Sequence, residues 1–193
     1  MTSPALAFLQ RRLSVPSKNL GEPGPDDTQL KTLLDLAVRV PDHGRLTPWR
    51  FIRIAGAQRA AFGRRLADLM LARDPAADPA KVDKERYRYD HAPLVLAVVA
   101  CLTPGHKVPE QEQLLSAGLA AYNLLLGAQA LGFGAQWLTG WAAYDAEVAG
   151  WLGVGTNERV VAFVHIGTPR EPGVERARPE HATRLSDLEL PTG

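Results

Sequence analysis

Arginine and serine recur in this chain at spacings suited to holding an anion. Arg11, Arg12 and Lys18 bracket Ser14 near the start, Arg39 stands at the end of an amphipathic segment, and Arg176 and Arg178 return late in the chain. A guanidinium meets a phosphate through paired, charge-assisted hydrogen bonds, and a serine hydroxyl or a loop N–H adds another. The competing reading is that Arg39 complements its own helix C-terminus and the other cations are simply solvated. A second group of residues suits a flat aromatic ligand. The loop PDHGRLTPW carries His43 and Trp49, and the segment QWLTG carries Trp137 and Thr139 beside Gly140. Such a ligand takes apolar contact on its face and in-plane hydrogen bonds at its edge. Both tryptophans serve equally well as core aromatics.

Other chemistries lack their residues. The histidines at 43, 91, 106, 165 and 181 form no HExxH motif and no i, i+4 pair, so nothing local points to a metal. Ser14, Ser17, Ser116 and Ser186 lie outside any GxSxG turn. The lone Cys101 excludes an intrachain disulfide, and its position at the end of LVLAVVAC predicts a buried small hydrophobe. GxGxxG is absent, and Gly132-Phe133-Gly134 follows a helix where a dinucleotide loop follows a strand. A net charge of +1, with both signs scattered along the chain, argues against nucleic acid and against a membrane surface as partner. In MTSPALAFLQRR the basic residues follow the apolar stretch, the reverse of a secretory signal, so a cytoplasmic address is expected.

The elements that must position these residues centre on 111–140, where a long apolar helix runs into a glycine-punctuated strand. From Leu114 to Leu131 leucines alternate with small residues and no broad solvated side is left, the pattern of a helix packed on several sides. The small residues admit close approach, so part of this surface is expected to meet a second subunit. Asn123, Gln129 and the two glycines within it favour a buried helix over a membrane span.

Before it, a short helix is predicted over 4–12, then a polar, proline-rich connector. A helix capped by Asp26 or Asp27 follows, with Leu30, Leu33, Leu34, Ala37 and Val38 in one stripe and an end near Pro41. WRFIRIA reads as a strand, 58–71 as a helix, and Asp78-Pro79 as the start of a charged, exposed helix through about Arg88. LVLAVVAC is a strand buried on both faces, AQWLTG and RVVAFVHIG are further strands, and Asp145 caps a short helix. Gly132 suits a left-handed C-cap. The expectation is one α+β domain over 1–193, four strands in a central mixed, mainly antiparallel sheet flanked by helices, with an extended tail from 170 to 193.

Taken together, RRLSVPSKNL, RVPDHGRLTPWRF, HKVPEQEQLLSAG, ALGFGAQWLTGW and VVAFVHIGTPREP span nearly the whole chain in one order. In these segments the sequence resembles the FMN-dependent nitroreductase family, in particular its small branch of NAD(P)H oxidoreductases. The resemblance implies a homodimer with FMN at each of two subunit interfaces, NAD(P)H as co-substrate and a small-molecule electron acceptor such as a nitroaromatic or quinone. It assigns the flavin phosphate to Arg12, Ser14 and the backbone of Leu13, with Arg178 reaching in from the tail. It brings Arg39 and His43 to the flavin from one subunit or the other, and runs Gln136, Trp137, Leu138 and Thr139 beside the ring. Two departures stand out: Leu13 occupies the place of an arginine before the serine, which leaves the phosphate to Arg11 or Arg12, and Gln111 replaces a common aromatic. The flavin carries the chemistry in such proteins, so no side-chain acid or nucleophile is implied. A flavin-binding carrier or sensor, or a specialised dehydrogenase or dehalogenase, is the alternative on the same fold.

Overall fold

The computed structural model describes residues 3–190; residues 1–2 and 191–193, the two ends of the expected domain, lie outside the described residues. Five strands form one sheet: β1 (Leu20–Gly21), β2 (Trp49–Ala55), β3 (Leu94–Cys101), β4 (Gly134–Leu138) and β5 (Glu158–Pro169). β5 is the organiser. It pairs with β3 along one edge, with β4 and then β1 along the other, and β2 pairs with the far side of β3. Among the described residues every pairing is antiparallel, which sharpens the expected mixed sheet. The strand missing from the sequence reading is β1, two residues inside the polar connector and too short to show a period-2 pattern.

The continuous apolar run of β3 is buried on both sides, as read. Leu94, Leu96 and Val98 join Val164 and Ile166 beneath α2 (Asp27–Ala37) and α5 (Glu110–Ala130). Val95 and Ala97 join Phe163 on the opposite face, under α3 (Ala57–Arg73) and α6 (Ala146–Trp151), while α4 (Pro79–Arg88) packs on α3. Fully buried leucines such as Leu33, Leu66, Leu96 and Leu124 each contribute about 1.5–3 kcal/mol. On the second face Tyr89 packs edge-on against Phe62 and Phe163, with ring centroids 4.7 and 5.3 Å apart.

Local chemistry sets the helix limits. Asp26 and Gln29 form a reciprocal capping box at the start of α2. That helix stops at Ala37, short of the limit suggested by Pro41, because Asn123 of α5 donates to the free carbonyls of Leu36 and Arg39 at 3.1 and 3.0 Å. The first helix, α1 (Pro4–Gln10), also ends earlier than its sequence pattern suggested. At the start of α5 Gln113 bonds both the N–H and the carbonyl of Thr103, and Gly132 closes the far end at φ +85°. α3 and α4 meet at Gly63, where an added Cβ would lie 2.1 Å from the carbonyl oxygen of Arg86.

α5 departs from its expected burial. Leu115 is 60% exposed, and Leu114, Leu119 and Tyr122 are exposed beside it, so one apolar side faces outward. Beyond β5 the chain runs extended and almost wholly exposed to residue 190. No described helix is long and apolar enough to cross a membrane.

Candidate functional site

β4 stands between two concavities, and strand alternation divides its residues between them. Gln136 and Leu138 point into a cleft of about 610 Å³ on the α4 side, while Trp137 points into a groove of about 900 Å³ beside α5. The connector after α1 docks along β4: Val15 N donates to Ala135 O at 3.0 Å and Ser17 N to the Gln136 side chain at 2.5 Å. This brings Pro16, Ser17 and Lys18 to the rim of the cleft. Across from them α4 supplies Asp83, Lys84, Tyr87 and Arg88, and His91 follows just after the helix.

The lining is cationic. Lys18, Lys84 and Arg88 face a single acid, Asp83, with Pro16, Tyr87 and Leu138 as apolar surface. Lys18 and Lys84 are exposed, whereas Arg88 is held: its guanidinium donates to Glu85 at 2.6 Å, with side chains 15% and 6% exposed. Burial raises the pKa of Glu85, and the charges of Arg88 and Lys84 oppose that shift. His91 is pushed below the usual histidine range by burial and then by Arg170, against a weaker pull from Asp90. Behind the cleft wall His165, paired with Gln136 across β4 and β5, is fully buried and its pKa falls to about 3 through desolvation. No described protein group pairs with either of its ring nitrogens, nor with Tyr89 Oη, Trp141 Nε1 or Glu85 Oε2.

The expected site residues fall into several places. Gln136 and Leu138 line the cleft, Trp137 lines the other groove, and Thr139 follows the end of β4. Arg12, Leu13 and Ser14 stand just upstream of the cleft, against the end of α5: Arg12 Nη1 lies 3.4 Å from Ser14 Oγ and Leu13 N donates to Gln129 at 3.3 Å. Arg39 is exposed beyond α2, and exposed His43 lies 2.7 Å from Glu112 at the start of α5. Arg178 pairs with Glu175 in the exposed tail. Neither Arg39, His43 nor Arg178 lines the cleft of its own chain.

Sequence reading found α4 as a helix but missed its part in the cleft. Lys84, Tyr87, Arg88 and His91 follow the i, i+3, i+4, i+7 spacing of one helical face, a signal hidden by the density of charge around it. It also missed Arg170, which packs on Gly21 of β1 and whose N–H donates to Asn19 O at 2.8 Å. Cys101 is only partly buried. Its thiol donates to Glu158 at 3.2 Å and its pKa rises to about 11 through burial and that carboxylate, so it offers little thiolate at neutral pH.

These features coincide with a known family. The sequence pattern of the nitroreductase family matches residues 10–168, and the chain belongs to that family. Among curated relatives it is 36% identical over 166 residues to the Escherichia coli K12 protein named "Putative NAD(P)H nitroreductase YdjA", covering 86% of this chain and 88% of that one. A nitroreductase-like protein from Bacillus cereus superposes with a TM-score of 0.79 at 20% identity, covering 98% of both chains. A Bacteroides fragilis nitroreductase solved with bound FMN superposes at 0.73 and 20% identity, covering 97% of this chain and all of that one. The fold is therefore the α+β nitroreductase fold.

Proposed function

We propose that this chain is an FMN-dependent oxidoreductase that passes hydride from NADH or NADPH to a bound flavin and then electrons to a nitroaromatic, quinone or similar acceptor. The observation that carries the reading is the cationic, partly apolar cleft beside β4 in a chain of this family. Its volume of about 610 Å³ lies within the range of roughly 300–1,000 Å³ usual for cofactor sites. Three cations against one acid suit a phosphorylated ligand, and Pro16, Tyr87 and Leu138 suit a flat ring system. Bound FMN supplies the hydride and electron chemistry.

The chain supplies position and charge. The Ser17–Gln136 hydrogen bond fixes the connector against β4, so the rim keeps its shape as a ligand enters. Lys18 and Lys84 swing on flexible stems and suit an anion at the rim, while Arg88 offers a charge that does not move. Arg12 with Ser14 serves the phosphate from the adjoining connector. The reading includes a homodimer joined through the exposed apolar side of α5, in which Arg39, His43 and Arg178 serve the partner's flavin. A cytoplasmic location goes with this use of nicotinamide.

The test is the visible spectrum of the purified protein followed by stopped-flow reduction. A yellow protein that NADH or NADPH bleaches and a nitroaromatic recolours is expected. A protein that takes up no FMN overturns the reading, and one that stays yellow with both nicotinamides is a carrier.

A further inference from the structure

The buried ion pair of α4 has a place in the cleft that its stability alone does not explain. Arg88 is mostly buried in the cleft wall, and its Nη2 donates to Glu85 Oε1 at 2.6 Å. Its other terminal nitrogen lies over Gly140, where an added Cβ would come within 2.6 Å of it. Gly140 has φ +66° and ψ −176°, a conformation open to glycine alone, so the turn after β4 has neither the backbone nor the space for any other residue. Arg88, Glu85 and Gly140 thus form one clamp between α4 and the turn after β4.

Removing a carboxylate from water costs several kcal/mol, and a pair like this seldom gains over an apolar one. What it secures is a fixed cation. Lys18 and Lys84 on the rim are exposed and screened by solvent, whereas the Arg88 guanidinium is held at one point on the wall. Hydride transfer brings two electrons and one proton to the flavin ring and leaves oxidised nicotinamide, so the ring gains one negative charge. A cation fixed nearby stabilises that charge more than the neutral oxidised form, and a neighbouring carboxylate reduces the effect.

Resting on the FMN reading above, we infer that Arg88 is the fixed cation that sets the reduction potential of the bound flavin, and that Glu85 is its positioning residue and partial counter-charge. The two side chains then act in opposite directions on the potential although both belong to one clamp. A structural pair would not do this, since breaking it from either side has the same consequence.

The experiment measures the midpoint potential of FMN bound to the full-length protein, by equilibration with reference dyes, in wild type, Arg88→Gln, Arg88→Lys and Glu85→Gln. The FMN dissociation constant and the thermal midpoint are recorded for each. Arg88→Gln should lower the potential and weaken FMN binding at least tenfold. Glu85→Gln keeps an acceptor for Arg88 and should raise the potential, and Arg88→Lys should recover most of the loss. Potentials that stay at the wild-type value in Arg88→Gln and Glu85→Gln, or that move the same way in both, overturn the inference. A wild-type protein that binds no FMN overturns the preceding reading instead, and the two failures are told apart by that one titration.

Discussion

Glu158→Gln removes one charge from a carboxylate that ties together three strands. Arg50 on β2 reaches past β3 to grip it twice, at 2.7 Å through Nε and 2.7 Å through Nη2. Gly155 N donates to the same carboxylate at 2.9 Å, and the Cys101 thiol, its cross-strand partner on β3, at 3.2 Å. These contacts, with the Arg50 hydrogen bonds first among them, hold the Glu158 pKa down from 4.5 to about 2. A displacement of that size sets a ceiling of roughly 3 kcal/mol, and because the side chain is 21% exposed, screening brings the expectation to about 2 kcal/mol. The folded-state pKa is depressed, so this stability is fully present above the unfolded value near 4.5 and is lost as pH falls toward about 2. Urea unfolding of wild type and Glu158→Gln should therefore differ by about 2 kcal/mol at pH 7, and by less than half of that near pH 3. Arg50 and Cys101, the side chains in contact with Glu158, stay protonated across this range and so add no pH dependence to the difference. A gap that is the same at both pH values, or absent at pH 7, refutes the reasoning.

The same substitution removes a charge that disfavours the Cys101 thiolate, so disulfide exchange with an aromatic disulfide reagent should be slow in wild type and faster in Glu158→Gln; equal rates would count against the thiol–carboxylate contact. Gly63→Ala drives a methyl into the Arg86 carbonyl and should cost about 1–3 kcal/mol or more in thermal or urea unfolding, whereas an unchanged midpoint would mean that α3 and α4 do not approach as described. Leu115→Glu puts a charge on the most exposed leucine of α5 without touching the core, and should give a folded monomer by light scattering with weakened FMN retention. A dimer that persists at micromolar concentration in that variant would remove α5 from the interface.

Much of the fold could be read because its signals are local. The eight apolar residues of LVLAVVAC are β3, Trp49–Ala55 is β2 residue for residue, and Asp26, Asp78 and Asp145 cap the helices they precede. The misses have physical causes. β1 is two residues long, and what defines it is pairing with β5 about 150 positions away, which leaves no local trace. The end of α2 is set by the Asn123 side chain from another helix, not by its own sequence. The cleft was half legible: β4 was identified as a wall, but its alternation sends Trp137 to the opposite side of the sheet from Gln136 and Leu138. The charges of α4 read as an exposed helix. An isolated helix gives no means of distinguishing a charged face that meets water from one that meets a cleft.

The two concavities beside β4 bear on each other through that alternation. A flat ring resting against Gln136 and Leu138 has one face covered, and the rest of the wall is too open to cover the other: Tyr87 is 53% exposed and both rim lysines face solvent. On the opposite side of the sheet Trp137 opens onto a groove flanked by Leu115 and Tyr144, the latter 77% exposed. An apolar surface of that kind is costly to leave in water and is the usual mark of an interface. The strand that carries the ligand wall thus also carries a wall of the apolar groove, two residues in one direction and one in the other. Any second chain seated on α5 and Trp137 bears directly on the strand that shapes the cleft. Loss of the interface and loss of the cofactor are therefore expected to travel together, because Gln136, Trp137 and Leu138 are consecutive residues of β4 that alternate between the two.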